Sequence, residues 1–197
     1  MGSCLSHYRF PERNRAHLIG DVLNLHLPKL LRPYIRQTLQ TYLMQIRQTD
    51  MFLMDSQGQK LRFDPDNCPP PPRGQGVQLC FKAISHHTTK ANTPIPINTV
   101  DEFSLLFCRE FLKTKALTIC TADSSSLLNM VARASCFPPE VRRKAALVRD
   151  EVRNLWAHSN YDVWTKELYL HSLEVVINLI IELPNHHSLV KSINLLK

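Results

Sequence analysis

Asp150, Asn154 and His158 are spaced four apart. On a helix such residues stand one above the next on one face. Arg153 sits beside Asn154, and its long side chain can swing to the same patch. A carboxylate, a carboxamide, a guanidinium and an imidazole thus gather at a helix end, just before a break at Ser159-Asn160. A guanidinium grips a phosphate through a planar fork of donors and steadies charge as it builds. An imidazole titrates near neutrality and can take or give a proton. Asn154 can orient either one. Together these groups suit metal-free cleavage of single-stranded RNA, in which the 2′-hydroxyl attacks its own phosphate. DNA lacks that hydroxyl and is not an expected partner. The same residues also fit a plain polar helix end, with Arg153 paired to Asp150 or Glu151 and His158 capping the last carbonyls.

The helix that must carry them starts at Pro138-Pro139-Glu140, with proline suited to the first turn and glutamate to the positive helix end. Val141, Ala145, Val148, Val152 and Leu155 or Trp156 give it an apolar face. Arg142, Arg143, Lys144 and Arg149 lie on the same helix. They either extend an RNA-contacting surface through backbone contacts or form a solvated face. Trp156 and Trp164 either stack bases or pack in the core or a dimer interface.

Other elements surround this one. Residues 1–15 are polar and arginine-rich, a flexible N-terminus. Residues 16–55 form N-terminal helices, with Ile35, Leu39, Tyr42, Leu43 and Ile46 at helical spacing and Pro28 and Pro33 as breaks. Residues 56–98 hold seven of the thirteen prolines. They predict a linker or insertion, partly polyproline II, with a short extended piece at Val77–Ile84. From 99 to 185 helix follows helix. Thr99-Val-Asp-Glu102 is a capping box ahead of Phe103, Leu106, Phe107 and Phe111. Asp123 or Ser124 caps a helix bearing Leu127, Leu128 and Val131. Asp162 is the expected cap of a last helix, with Leu168, Leu173, Val176, Leu179 and Ile180 inward and Pro184 at its end. Residues 186–197 form a tail. The expected fold class is all-α, a helical bundle.

Composition narrows the functions. The chain has 197 residues and 44% hydrophobic content, enough for one globular domain. Its five glycines include none after Gly76. Phosphate-cradling loops, dinucleotide fingerprints and nucleophile elbows all need glycine in a pattern absent here. A net charge of +7 favours a polyanionic partner, nucleic acid or an anionic membrane surface. Six cysteines without a secretory signal point to free thiols in a reducing, cytoplasmic compartment. Cys68, Cys80, His86 and His87 match no zinc-finger spacing, so no metal or other cofactor is implied. Met1-Gly2-Ser3-Cys4-Leu5-Ser6 fits the myristoylation pattern, with Gly2 as acceptor and Cys4 open to palmitoylation. Two chains, or one beside Arg9, Arg13 and Arg15, would hold the protein at a membrane surface.

Arg153-Asn154-x-x-Ala157-His158, late in an all-α chain and followed by another long helix, resembles the HEPN superfamily. Its motif is an arginine, four to six residues, then a histidine, commonly with a polar residue right after the arginine. Leu127-Leu-Asn-Met-Val-Ala-Arg133, Cys136-Phe-Pro-Pro and Arg149-Asp-Glu-Val-Arg-Asn look like the HEPN domain associated with DZIP-type ubiquitin ligases of animals. The likeness spans about residues 100–183, is looser over 16–55 and stops over 56–98. It implies a bundle of four to five helices, interrupted here by the Pro-rich insertion. It also implies a homodimer whose two motifs face each other across one cleft. In active members that cleft is a metal-independent endoribonuclease. Arg153 would contact the scissile phosphate, His158 would act as acid or base, and Asn154 would order the site. Many members are instead non-catalytic RNA-binding or dimerisation modules. The Val163–Leu183 helix and the motif helix, with Trp156, Trp164 and Leu168, are the expected dimer surface.

Overall fold

The computed structural model describes residues 11–48, 53–54, 61–63, 95–97, 99–105, 107–108, 118–134 and 136–196. The fold is all-α, a helical bundle. Helix α1 (Pro11–Asp21) starts on Pro11-Glu12, proline and acid in a first turn. It passes through a π-helical segment, Val22–His26, into α2 (Leu27–Gln48). Asp21 and Leu27 both keep α-region dihedrals, so the helix is continuous. Pro28 and Pro33 therefore do not break it. The Leu27 N–H donates to the Val22 carbonyl, five residues back. This wide turn lies where an α-register would drive the Pro28 ring against the Asn24 carbonyl. Pro33 lies inside α2; the Lys29 carbonyl it leaves without a donor is on an exposed residue.

Strands β1 (Leu53–Met54), β2 (Leu61–Phe63) and β3 (Ile95–Ile97) pair antiparallel in that order. Pro96 falls on β3, an edge strand, where a missing donor is tolerated. The expected extended piece at Val77–Ile84 lies outside the described residues.

Helix α3 (Val100–Leu105) opens on the capping box. The Thr99 N–H donates to Glu102 Oε2 at 2.9 Å, and the Glu102 N–H to Thr99 Oγ1 at 3.1 Å. Helix α4 (Ser124–Arg133) is capped by Asp123, whose Oδ1 accepts from the Ser126 N–H at 2.8 Å. Residues 124–131 of α4 are all buried, so α4 is the central helix of the bundle. Phe103 and Phe107 join its core edge-to-face at 5.3 Å; Leu106 and Phe111 lie outside the described residues.

The motif helix, α5, begins at Pro139–Leu147. It continues as a second π-helical segment, Val148–Arg153, and finishes as Asn154–His158. A 3₁₀ turn, Tyr161–Val163, leads to α6 (Lys166–Ile180). Its cap is Thr165, whose hydroxyl accepts from the Leu168 N–H at 3.2 Å. Asp162 lies in the 3₁₀ turn, one helical turn too early for that bond. Asn185 takes a left-handed φ of 59°, and α7 (His187–Asn194) follows, so the C-terminal stretch is a helix rather than a tail. Its Ile193 is buried, and the Leu196 carbonyl accepts from the Tyr169 hydroxyl at 2.8 Å.

Candidate functional site

Helix α5 is fixed from two sides. Val141, Ala145, Val148 and Val152 are buried against the core. On the other side the Trp156 indole lies on α1. Its Nε1 donates to the Ala16 carbonyl at 3.0 Å. A Cβ on Gly20 would stand 2.8 Å from Trp156 Cζ2, so only glycine admits the ring. Trp164 is 1% exposed and packs within the same chain, and Arg15 donates to its carbonyl at 3.1 Å. Leu168 packs partly buried against that core. Trp164 is thus used inside one chain, whereas Trp156 and Leu168 keep part of their surface exposed.

Along the exposed side of α5 the motif residues separate into two groups. Asp150 and Asn154 are joined by a long bond from Asn154 Nδ2 to Asp150 Oδ1, 3.5 Å. Arg153 donates to Asn154 Oδ1 at 3.4 Å. Arg153 does not pair with Asp150, because Arg149 grips that carboxylate with two bonds of 2.8 Å. Nor does it pair with Glu151, which faces His171 on α6 at 3.4 Å. His158 is exposed, and its ring has no hydrogen-bond partner among the described residues. The Ser159 hydroxyl, not His158, takes the Leu155 carbonyl at the helix end. Arg153 and His158 are five apart on an α-helical turn, so they point about 140° apart around the axis. No bond joins them.

The basic residues proposed as an RNA surface are mostly engaged. Arg143 forks onto Glu140 at 2.6 and 3.0 Å, which holds the Glu140 carboxyl below its usual pKa. Lys144 reaches Glu182, just past the end of α6, at 2.6 Å. Arg149 joins its Asp150 bonds to a third, Nη1 to Asn129 Oδ1 of α4 at 3.2 Å, and Asn129 in turn donates to the Ser125 carbonyl. Arg142 differs: its Nε is buried without a partner among the described residues. It lies close to Cys136, whose thiol burial pushes up to about 12 against the pull of that guanidinium.

One cluster escaped the sequence reading. Arg13 and His17 stand i, i+4 on α1, and Arg13 Nε donates to His17 Nε2 at 3.3 Å. The His17 and Tyr161 rings are 5.6 Å apart, and the Arg13 guanidinium is 5.7 Å from the Tyr161 centroid. The signal was present in Pro11-Glu12, the same helix start that Pro139-Glu140 gives for α5.

Among the described residues no group of three or more His, Cys, Asp or Glu side chains could hold a metal ion. No helix among them is long and apolar enough to cross a membrane. Gly2 and Cys4 lie outside the described residues, as do Cys68, Cys80, His86 and His87. No family model, curated protein or solved structure matches the chain.

Proposed function

We propose that the chain is an HEPN-like module that acts on single-stranded RNA, cleaving it through Arg153 and His158. The observation that carries this reading is the availability of the pair. His158 is exposed, and the carboxylates that precede Arg153 on its helix, Asp150 and Glu151, contact Arg149 and His171 instead. His158 takes the proton from a 2′-hydroxyl, whose oxygen forms a bond to the adjacent phosphorus. Arg153 holds the non-bridging oxygens as charge builds on them. The bond to the 5′-oxygen breaks and that oxygen takes a proton from water, leaving 2′,3′-cyclic phosphate and 5′-hydroxyl ends; His158 then returns its proton to solvent. Because Arg153 and His158 of one chain diverge, the cleft is composite, the Arg153 of one copy working beside the His158 of another in a homodimer.

The test is cleavage of single-stranded RNA in EDTA. His158→Ala should slow it roughly 100-fold, and a 2′-deoxy residue at the cut should block it. Equal cutting by wild type and His158→Ala would end the enzymatic reading.

A second reading, a non-catalytic RNA-binding or dimerisation module, draws on the divergence of Arg153 and His158 within one chain. It predicts RNA binding with no cyclic-phosphate product. Membrane association through Gly2 and Cys4 stands beside either. Incorporation of a myristate analogue that survives Gly2→Ala would remove it.

A further inference from the structure

The last turn of α5 rests on α1 through the bond from Trp156 to the Ala16 carbonyl. His17 follows Ala16 in sequence, and His158 lies two residues beyond Trp156. Tyr161 of the Arg13–His17–Tyr161 cluster follows His158 by three residues, just past the end of α5. Tyr161 is at most about 11 Å from His158 by Cα reach along the chain. Tyr161 is 50% exposed although it is aromatic, and Arg13, His17, His158 and Asn160 around it are exposed as well. An exposed ring flanked by a guanidinium and an imidazole offers a face for a base and donors for a phosphate.

We propose that Tyr161, Arg13 and His17 form a nucleotide subsite of single-stranded RNA on the His158 end of α5, the base stacked on the Tyr161 ring and its phosphate against Arg13 and His17. The subsite rests on the RNA reading above and adds to it a reason for single strands: a paired base cannot present its face to the ring. The phenol hydroxyl has no part in it.

The probe is a short oligouridylate carrying one 2-aminopurine, titrated into His158→Ala protein so that the strand stays whole. Binding should quench the 2-aminopurine. Tyr161→Ala should weaken binding about tenfold and remove the quench, whereas Tyr161→Phe should keep both. Arg13→Ala should weaken binding and flatten its salt dependence by about one ion. Tyr161 is a surface residue, so the variants should unfold at the parent's temperature. If Tyr161→Ala binds and quenches like its parent while Arg153→Ala binds weakly, the subsite is overturned and the RNA reading stands. The same holds if the complementary duplex binds with equal dependence on Tyr161. If the parent protein binds no oligonucleotide, the RNA reading falls and the subsite with it.

Discussion

The indole of Trp156 occupies the space that a side chain at position 20 would fill, with three of its ring atoms within 3.0 Å of where a Gly20 Cβ would stand. Glycine inside a helix ordinarily costs about 1 kcal/mol relative to alanine. Here the sign should reverse. Gly20→Ala drives Cβ into a ring that is hydrogen-bonded to Ala16 and cannot slide away. We expect it to destabilise by about 1–3 kcal/mol, the range of overpacked sites. Urea unfolding would measure this, and in a Trp156→Phe background the loss should shrink. A rise in stability for Gly20→Ala in the wild-type chain would contradict the packing.

Arg149 and Arg153 should separate in their effects. Arg149 ties α5 to the buried Asn129 of α4. Arg149→Ala should lower stability by about 2 kcal/mol, most of it from the lost bond to Asn129, because the Asp150 pair is half exposed. The substitution also frees Asp150 for Arg153, so RNA binding should fall as well. Arg153→Ala should weaken RNA binding and cleavage with the melting temperature unchanged. Arg153→Lys should not restore the full rate, since the planar fork is lost.

Much of the bundle was legible because it rests on local chemistry. The Thr99–Glu102 capping box, the Asp123 cap and the stripe Val141, Ala145, Val148 and Val152 all depend on residues within a turn or two of one another. The start at Pro11-Glu12 was equally local and was missed because the arginines around it read as a disordered arm. Asp162 and Thr165 are both good N-caps by residue type, and the 3₁₀ turn at Tyr161–Val163 is what leaves the role to Thr165. Pro28 marks the π-turn at Val22–His26, but the one at Val148–Arg153 has no such residue, and hydrogen-bond phase is not otherwise a property of any one residue. Arg143 pairs with Glu140 one turn away, but the engagement of Lys144 and Arg149 was illegible for another reason: Glu182 and Asn129 are brought close only by the fold.

Cys136 makes a prediction in alkali. Burial raises its thiol from 9.0 to about 12, so the proton is bound more tightly in the folded chain than in the unfolded one. Below about pH 9 the thiol is protonated in both states, and the stabilising difference is fully present. As pH rises from there toward 12 the unfolded form ionises first, and stability falls. Wild type should lose stability relative to Cys136→Ala across that window. At neutral pH iodoacetamide should alkylate the exposed Cys120 well before Cys136, as peptide mass spectrometry would show.

Trp164 tests where the dimer forms. It is fully buried in one chain, so Trp164→Ala should cost about 3–5 kcal/mol of folding stability. It should not yield a folded monomer. Sedimentation of wild type at tens of micromolar should nevertheless show a dimer if the cleft is composite, and specific activity should rise with protein concentration. A folded, monomeric Trp164→Ala protein would return that residue to an interface.

The wide turn at Val148–Arg153 closes with the Asn154 N–H on the Arg149 carbonyl, five residues back instead of four. Such a turn carries one residue more than an α-helix needs to cover the same arc. Helix α5 therefore has a spare residue at that point and nowhere else along its length. Losing Glu151 would let the segment relax to ordinary pitch while Trp156 stayed over Gly20 and His158 kept its direction. Losing Arg143, in the α-helical part, would turn everything beyond it by about 100° and swing the indole off its glycine. Single-codon deletions across this helix should thus be tolerated in one short window, whose last residue, Arg153, is one of the two proposed to do the chemistry.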